Sequence, residues 1–230
     1  AAKSGTLHLM GLFSDGGVHS HIEHLKSLVR MAHREGLARV AVHAILDGRD
    51  TPPHAGLRYM EDFLAFLNET GVGQVATVMG RYFAMDRDRR WDRVQRAYRA
   101  FTEGAGTSCA GPLDGIRSSY AGGVTDEFVE PLILPCPYGR VSDGDVVLFF
   151  NFRADRAREI TRAFCDDPFE GFDRQARPRL ATYATMTRYE KRFICPVAFE
   201  TPMPTNTLGE VVAAAGLQES PSATPRPWRP

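Results

Sequence analysis

The chain has few cysteines and no net charge, and it lacks an apolar run of membrane-spanning length. Its four cysteines stand singly without a C-x-x-C pair, which argues against both a zinc knuckle and a disulfide framework. Lysine and arginine number 28, as do aspartate and glutamate, so there is no overall electrostatic case for binding nucleic acid or an anionic membrane. The amino terminus lacks the apolar core of a signal peptide. These absences predict a cytoplasmic protein with reduced cysteines and with no nucleic-acid or membrane partner.

Histidine is absent beyond position 54, and this limits the metal chemistry that the chain could support. His19 and His21 form a His-x-His pair of the kind that can begin a metal site. Such a site needs further imidazole or carboxylate ligands from later strands, where this sequence offers arginine instead. No Walker loop or G-x-G-x-x-G follows a predicted strand, so a nucleotide is not indicated. We therefore expect no metal ligands here, and we expect His19, which lies in a loop, to face the ligand site.

Apolar runs alternate with helical patterns along most of the chain. The runs predict strands at residues 7–13, 39–46, 74–80 and 145–150, with weaker candidates at 180–186 and 193–199. Apolar residues at helical spacing predict helices that begin near Ile22, Leu57, Trp91, Ile160 and Leu208. Two S/T-x-x-E capping boxes, at 20–23 and 207–210, would start the first and last of these helices. Residues 104–144 are rich in glycine and proline, and only 113–120 could form a short helix there.

The repeated strand, loop and helix units predict an α/β fold with a mainly parallel sheet. Each crossover must return to the same edge, so helices should cover both faces in a three-layer α/β/α arrangement. We expect one domain over residues 1–217. Residues 218–230 are rich in proline and serine, which predicts a disordered or divergent tail.

Charged side chains follow four of the predicted strands. The turn Asp47-Gly48-Arg49-Asp50 offers a cation for an anionic substrate and a carboxylate for moving a proton, although the two aspartates could simply cap the turn beside a solvated arginine. The carboxyl ends of parallel strands meet at one edge, which is where open sheets bind ligands. Guanidinium groups facing one cleft repel one another unless an anion neutralises them. The pattern predicts a small, multiply anionic ligand, such as a phosphorylated carboxylic acid, near these residues: Asp15, His19, Arg49, Asp50, Arg81, Arg87, Arg153 and Arg156.

Several runs closely resemble the cofactor-independent (2,3-bisphosphoglycerate-independent) phosphoglycerate mutases. They are LMGLFSDGGVHSHIEHL, HAILDGRDTPP, GRYFAMDRDRRWDRVQRAY and NFRADRARE, with the weaker TPMPTNTLGEVVAAAGL. The resemblance implies interconversion of 3-phosphoglycerate and 2-phosphoglycerate in glycolysis through a phosphoserine intermediate, with no requirement for 2,3-bisphosphoglycerate. It implies that Asp50 is the acid/base on the glycerate hydroxyls. It also implies that the substrate is held by His19, Arg49, Asp50, Arg81, Arg87, Arg153 and Arg156.

The resemblance covers one of the two domains of that family. The other domain is phosphatase-like and carries two manganese ions and the nucleophilic serine, and this chain matches only the edge of the return to it. The resemblance therefore implies the substrate-binding (phosphotransferase) half of a monomeric enzyme, inactive alone. Two alternatives remain open: a non-catalytic module that binds phosphorylated carboxylates, and an unrelated phosphosugar enzyme on the same fold.

Overall fold

A seven-stranded sheet organises the computed structural model, which describes residues 5–200 and 205–217. The chain divides after Phe199 into two units, and every strand lies in the first. The strands are β1 (Leu7–Phe13), β2 (Val40–Leu46), β3 (Gln74–Gly80), β4 (Thr107–Ser108), β5 (Leu132–Ile133), β6 (Val146–Phe149) and β7 (Thr182–Thr185). The sheet has the order β4-β5-β3-β2-β1-β6-β7, and only the pair of β3 with β5 is antiparallel. The predicted α/β fold with a mainly parallel sheet is confirmed.

Helices cover both faces of the sheet because alternate strand residues point to opposite sides. On β1, Leu9 and Phe13 pack in one apolar core with the first, second and fifth helices, and Met10 and Leu12 pack in another with the third, fourth and sixth. This is the expected three-layer arrangement. The helices are α1 (Ile22–Arg34), α2 (Gly56–Thr70), α3 (Arg81–Ala84), α4 (Trp91–Glu103), α5 (Pro112–Ala121), α6 (Arg158–Cys165) and, in the second unit, α7 (Leu208–Ala214). None of the helices in the described ranges is long and apolar enough to cross a membrane.

Two local predictions failed, and two short strands were not predicted. The candidate strand at 193–199 is wrong, because that segment makes only a single bridge between Val197 and Thr185. The Ser20 capping box is also wrong. His21 is the N-cap of α1, and the Ser20 hydroxyl donates to the backbone oxygen of Leu12 instead. In the unassigned stretch 104–144, β4 and β5 have two residues each, too few to produce an apolar pattern.

The second unit contains the other predicted capping box, and this one is confirmed. The Thr207 hydroxyl accepts from the Glu210 amide, and the Glu210 carboxylate accepts from the Thr207 amide. The predicted tail at 218–230 lies outside the described residues. All four cysteines carry free thiols.

A chain of buried polar side chains crosses the sheet. His8 Nε2 lies 3.2 Å from Asp145 Oδ2, His8 Nδ1 lies 2.9 Å from His43 Nε2, and His43 Nδ1 lies 2.9 Å from Thr77 Oγ1. The Asp145 carboxylate must accept, so His8 carries its proton on Nε2 and accepts from His43 on Nδ1. His43 in turn accepts from the Thr77 hydroxyl. Burial lowers the pKa of both histidines, which keeps the rings neutral and this order of donors intact.

Candidate active site

The turn after β2 is built around the carboxylate of Asp47. Asp47 Oδ1 accepts from the amides of Arg49 at 3.2 Å and Asp50 at 2.9 Å, and its Oδ2 accepts from the Ser14 hydroxyl at 2.7 Å. Gly48 has a φ of 65°, and a Cβ there would lie 2.7 Å from the amide nitrogen of Glu127. Only glycine combines that backbone conformation with so close an approach. The turn is therefore held in one conformation, with Asp50 presented at the carboxyl edge of the sheet.

Arg81, the first residue after β3, is the central cation of the site. Its Nη1 donates to Asp47 Oδ1 at 2.7 Å and to Asp50 Oδ2 at 2.6 Å, and its Nη2 lies 3.1 Å from His19 Nε2. Burial disfavours the charge, but the hydrogen bonds to Asp50 and Asp47 outweigh it and raise the pKa of Arg81. Burial would likewise raise the pKa of Asp47, yet the hydrogen bonds from Asp50, Ser14 and Arg81 lower it overall. Arg81 thus helps to keep Asp47 a carboxylate, and it donates to Asp50 beside a histidine.

His19 is a neutral imidazole whose tautomer follows from its neighbours. Burial and the charge of Arg81 lower the pKa of His19 to about 4. Because a guanidinium can only donate, His19 Nε2 accepts from Arg81 and the ring proton sits on Nδ1. That Nδ1 lies 3.5 Å from Asp155 Oδ1, and neither atom has a hydrogen-bond partner. The backbone oxygen of His19 accepts from the amides of Phe152 and Arg153, which joins the loop after β1 to the loop after β6.

Asp155 joins the remaining loops of the site. Its Oδ2 accepts from Arg87 Nη1 at 3.0 Å, and its Oδ1 lies 3.1 Å from Arg153 Nε. Burial raises the pKa of a carboxyl, but His19, Arg153 and Arg87 together lower the pKa of Asp155. Its charge is therefore maintained by cations from two loops.

Arg156 and Arg49 complete the cluster. Arg156 Nη1 donates to the backbone oxygen of Met85 at 3.0 Å. Burial and then the charges of Arg81, Arg87 and Arg49 lower the pKa of Arg156, so several guanidinium groups act on this half-buried cation at once. Arg49 lies at the rim, where its half-exposed side chain is 3.6 Å from Glu127.

The structure brings together most of the residues that the strand ends pointed to. His19, Asp50 and Arg81 are in direct contact, and Asp155 links His19 to Arg87 and Arg153. Asp15, in the loop after β1, accepts from the Tyr59 hydroxyl and lies 4.0 Å from Arg58. Whether any of these residues binds a substrate remains a prediction.

Sequence reasoning predicted Asp50 and considered Asp47 as a cap of its turn, but it did not predict that Asp47 and Asp155 pair with these arginines. Asp47 and Asp155 stand within the Asp-Gly-Arg-Asp and Arg-Ala-Asp-Arg runs, so acidic residues interleaved with arginines were the available signal. Glu127 lies in a glycine-rich and proline-rich stretch whose sequence gave no signal for a site residue. The buried Asn151 was missed as well; its Oδ1 accepts from the Leu12 amide at 2.9 Å and ties the end of β6 to β1.

These residues do not form a metal centre. No group of three or more His, Cys, Asp or Glu side chains within residues 5–200 and 205–217 is placed to hold a metal ion. The carboxylates of the site are turned toward arginines, which occupy the positions that a cation would take. The manganese pair of the other domain, which the family resemblance implies, stays a prediction.

The fold and the site together define a parallel α/β domain with an arginine-rich cluster at the carboxyl edge of its sheet. The family model described as the BPG-independent PGAM N-terminus matches residues 1–191. The chain belongs to this family, the N-terminal part of the 2,3-bisphosphoglycerate-independent phosphoglycerate mutases.

Individual relatives agree with this assignment. The chain is 54% identical over 221 residues to the 2,3-bisphosphoglycerate-independent phosphoglycerate mutase of Syntrophotalea carbinolica and 50% identical over 218 residues to that of Moorella thermoacetica; each match covers 94% of this chain and 42% of the relative. A crystal structure of Leishmania mexicana phosphoglycerate mutase at low cobalt concentration superposes with a TM-score of 0.84 at 35% identity, covering 93% of this chain and 41% of that one. The chain thus spans less than half the length of the relatives it matches.

Proposed function

We propose that this chain is the substrate-binding half of a phosphoglycerate mutase and that its arginine cluster binds 2- or 3-phosphoglycerate. One observation carries the proposal. Burial and the charges of Arg81, Arg87 and Arg49 outweigh the opposing charge of Asp155 and lower the pKa of Arg156, whose Nη1 donates to a backbone oxygen. Confining like charges in this way is unfavourable unless an anion joins them. A ligand with a phosphate and a carboxylate supplies that charge at two points.

Each member of the cluster has a proposed task. Arginines bind carboxylate and phosphate oxygens through paired N–H groups, which suits Arg49, Arg87, Arg153 and Arg156. Arg81 holds the Asp50 carboxylate, whose side chain is 21% exposed and so open to a ligand. Asp50 would exchange a proton with a glycerate hydroxyl. Neutral His19 would position the substrate rather than supply charge.

Titration calorimetry of the purified chain with 3-phosphoglycerate tests this proposal. We expect saturable binding with a higher affinity than for glycerate, inorganic phosphate or a phosphosugar. Among these ligands only 3-phosphoglycerate has both a phosphate and a carboxylate to engage the whole cluster. Equal affinity for the phosphosugar would favour the unrelated-enzyme alternative, and no binding of phosphoglycerate would refute the proposal.

A coupled enolase assay separates a binding half from a complete enzyme. We propose that the manganese ions and the phosphoryl-accepting serine of the intact enzyme lie outside this chain, so turnover should be absent with or without manganese. Phosphoryl transfer depends on a nucleophile placed by charge-neutralising groups, and the described residues offer no metal-ligand set. Turnover that persists after repurification would contradict this division of labour.

A further inference from the structure

The donors around Asp155 form an arrangement suited to an oxyanion. Arg87 Nη1 at 3.0 Å, Arg153 Nε at 3.1 Å and His19 Nδ1 at 3.5 Å approach its carboxylate from the loops after three different strands. Asp155 itself is only 11% exposed at its side chain, whereas Arg87 and Arg153 are nearly half exposed. The two arginines therefore have faces open to solvent while sharing one internal counter-ion.

The contacts of Asp155 are looser than those of Asp47 in the same site. Both Asp47 oxygens accept hydrogen bonds, from Ser14, Arg81 and two backbone amides. In contrast, Asp155 Oδ1 is buried without a hydrogen bond, although two donors lie within 3.5 Å of it. If the carboxylate served only to hold the loops together, both of its oxygens would be expected to accept hydrogen bonds. The attraction at Oδ1 is thus mainly between charges, and such contacts can be exchanged for those of another anion.

We infer that the Asp155 carboxylate competes with anionic ligands for Arg87 and Arg153. It neutralises these two arginines in the free chain, so a ligand needs more negative charge in order to bind. This inference rests on the proposed function, because it concerns the selectivity of the same site. A small monoanion would only replace the negative charge of Asp155 with its own, so its binding would be weakly favourable. A phosphorylated carboxylic acid brings a second anionic group, which can also engage Arg156.

The test compares Asp155→Asn with Glu61→Gln, which changes the net charge equally at an exposed ion pair with Arg117 on the helices α2 and α5. Each full-length variant is titrated calorimetrically with inorganic phosphate and with 3-phosphoglycerate. We expect Asp155→Asn to bind inorganic phosphate about fivefold or more tightly than the unmodified chain, since the nearby negative charge is removed. The preference for phosphoglycerate over phosphate should shrink, and Glu61→Gln should match the unmodified chain.

Equal or weaker phosphate binding by Asp155→Asn would overturn the inference and identify Asp155 as a brace. If Asp155→Asn does not fold, Asp155→Ser is used in its place, because serine is also neutral and is smaller.

The proposed function and the competitor role of Asp155 can fail independently of each other. If the unmodified chain binds no phosphoglycerate but Asp155→Asn gains phosphate binding, the proposed function fails and the competitor role stands. If the unmodified chain binds phosphoglycerate but removing the Asp155 charge does not increase the affinity for phosphate, the proposed function stands and the competitor role fails.

Discussion

Arg81 and Asp47 form a buried ion pair in which Nη1 lies 2.7 Å from Oδ1 and each side chain is no more than 2% exposed. The pair joins the end of β3 to the turn after β2, and Asp50 shares the same guanidinium nitrogen at 2.6 Å. The strand-end geometry of the site therefore depends on one arginine.

Replacing Arg81 by alanine should be strongly destabilising. The change leaves the Asp47 carboxylate buried without its cation, which costs about 3–5 kcal/mol of the free energy of unfolding. Arg117→Ala removes an exposed ion pair with Glu61 and should cost less than about 1 kcal/mol. Urea denaturation of both variants measures the difference, and similar losses would show that the buried pair has no special importance.

Replacing Arg156 by alanine should weaken binding of 3-phosphoglycerate by about 1.5–3 kcal/mol, the range for a charge-assisted hydrogen bond. Arg153→Ala should act in the same direction. The control is Arg34→Ala, at the end of α1 near the opposite edge of the sheet. Calorimetric titration gives the three affinities, and unchanged binding in both site variants would remove the support for an anion site.

The buried chain of polar side chains predicts the effect of a nearly isosteric change in β3. Thr77→Val removes the hydroxyl that donates to His43 Nδ1 and leaves that nitrogen buried without a partner. The expected cost is about 1–3 kcal/mol of the free energy of unfolding. Thr107→Val, at an exposed position in β4, makes the same chemical change without the buried contact. A loss no larger than that of the control would show that the Thr77 hydroxyl is not needed to pair with the buried His43 Nδ1.

Glu159 predicts a change of stability with pH. Burial raises the pKa of this carboxyl to about 7, while its Oε1 accepts from the Arg89 amide beside the loop that carries Arg87. A raised folded-state pKa stabilises the protein at low pH, and this contribution is lost as the pH rises through about 7.

Replacing Glu159 by glutamine keeps an accepting oxygen and removes the titration. The stability of Glu159→Gln relative to the unmodified chain should therefore increase by about 1–3 kcal/mol between pH 5 and pH 8. Glu61→Gln, at an exposed side chain, is the control. Urea denaturation at the two pH values checks the direction. A relative stability that stays constant or falls over this range would show that the folded-state pKa of Glu159 is not raised.

The local pattern of the sequence determined most strands of the sheet and most of its helices. Buried parallel strands need continuous apolar runs, so β1, β2, β3 and β6 were visible without any tertiary information. The same rule placed His19, Arg81 and Arg153 at one edge, because the carboxyl ends of parallel strands coincide. The motif resemblance then identified the family, which the comparisons confirmed.

The tertiary structure alone decided which charges are paired. Asp50 and Arg81 are 31 positions apart, and Arg87 and Asp155 are 68 apart, so no local spacing could assign these contacts. The short strand β5 forms only by pairing with β3 and β4, and it has no apolar period of its own. Periodicity reports which side of an element is buried. The partner of a buried charge depends on how separate loops meet, and that is settled only when the whole sheet has formed.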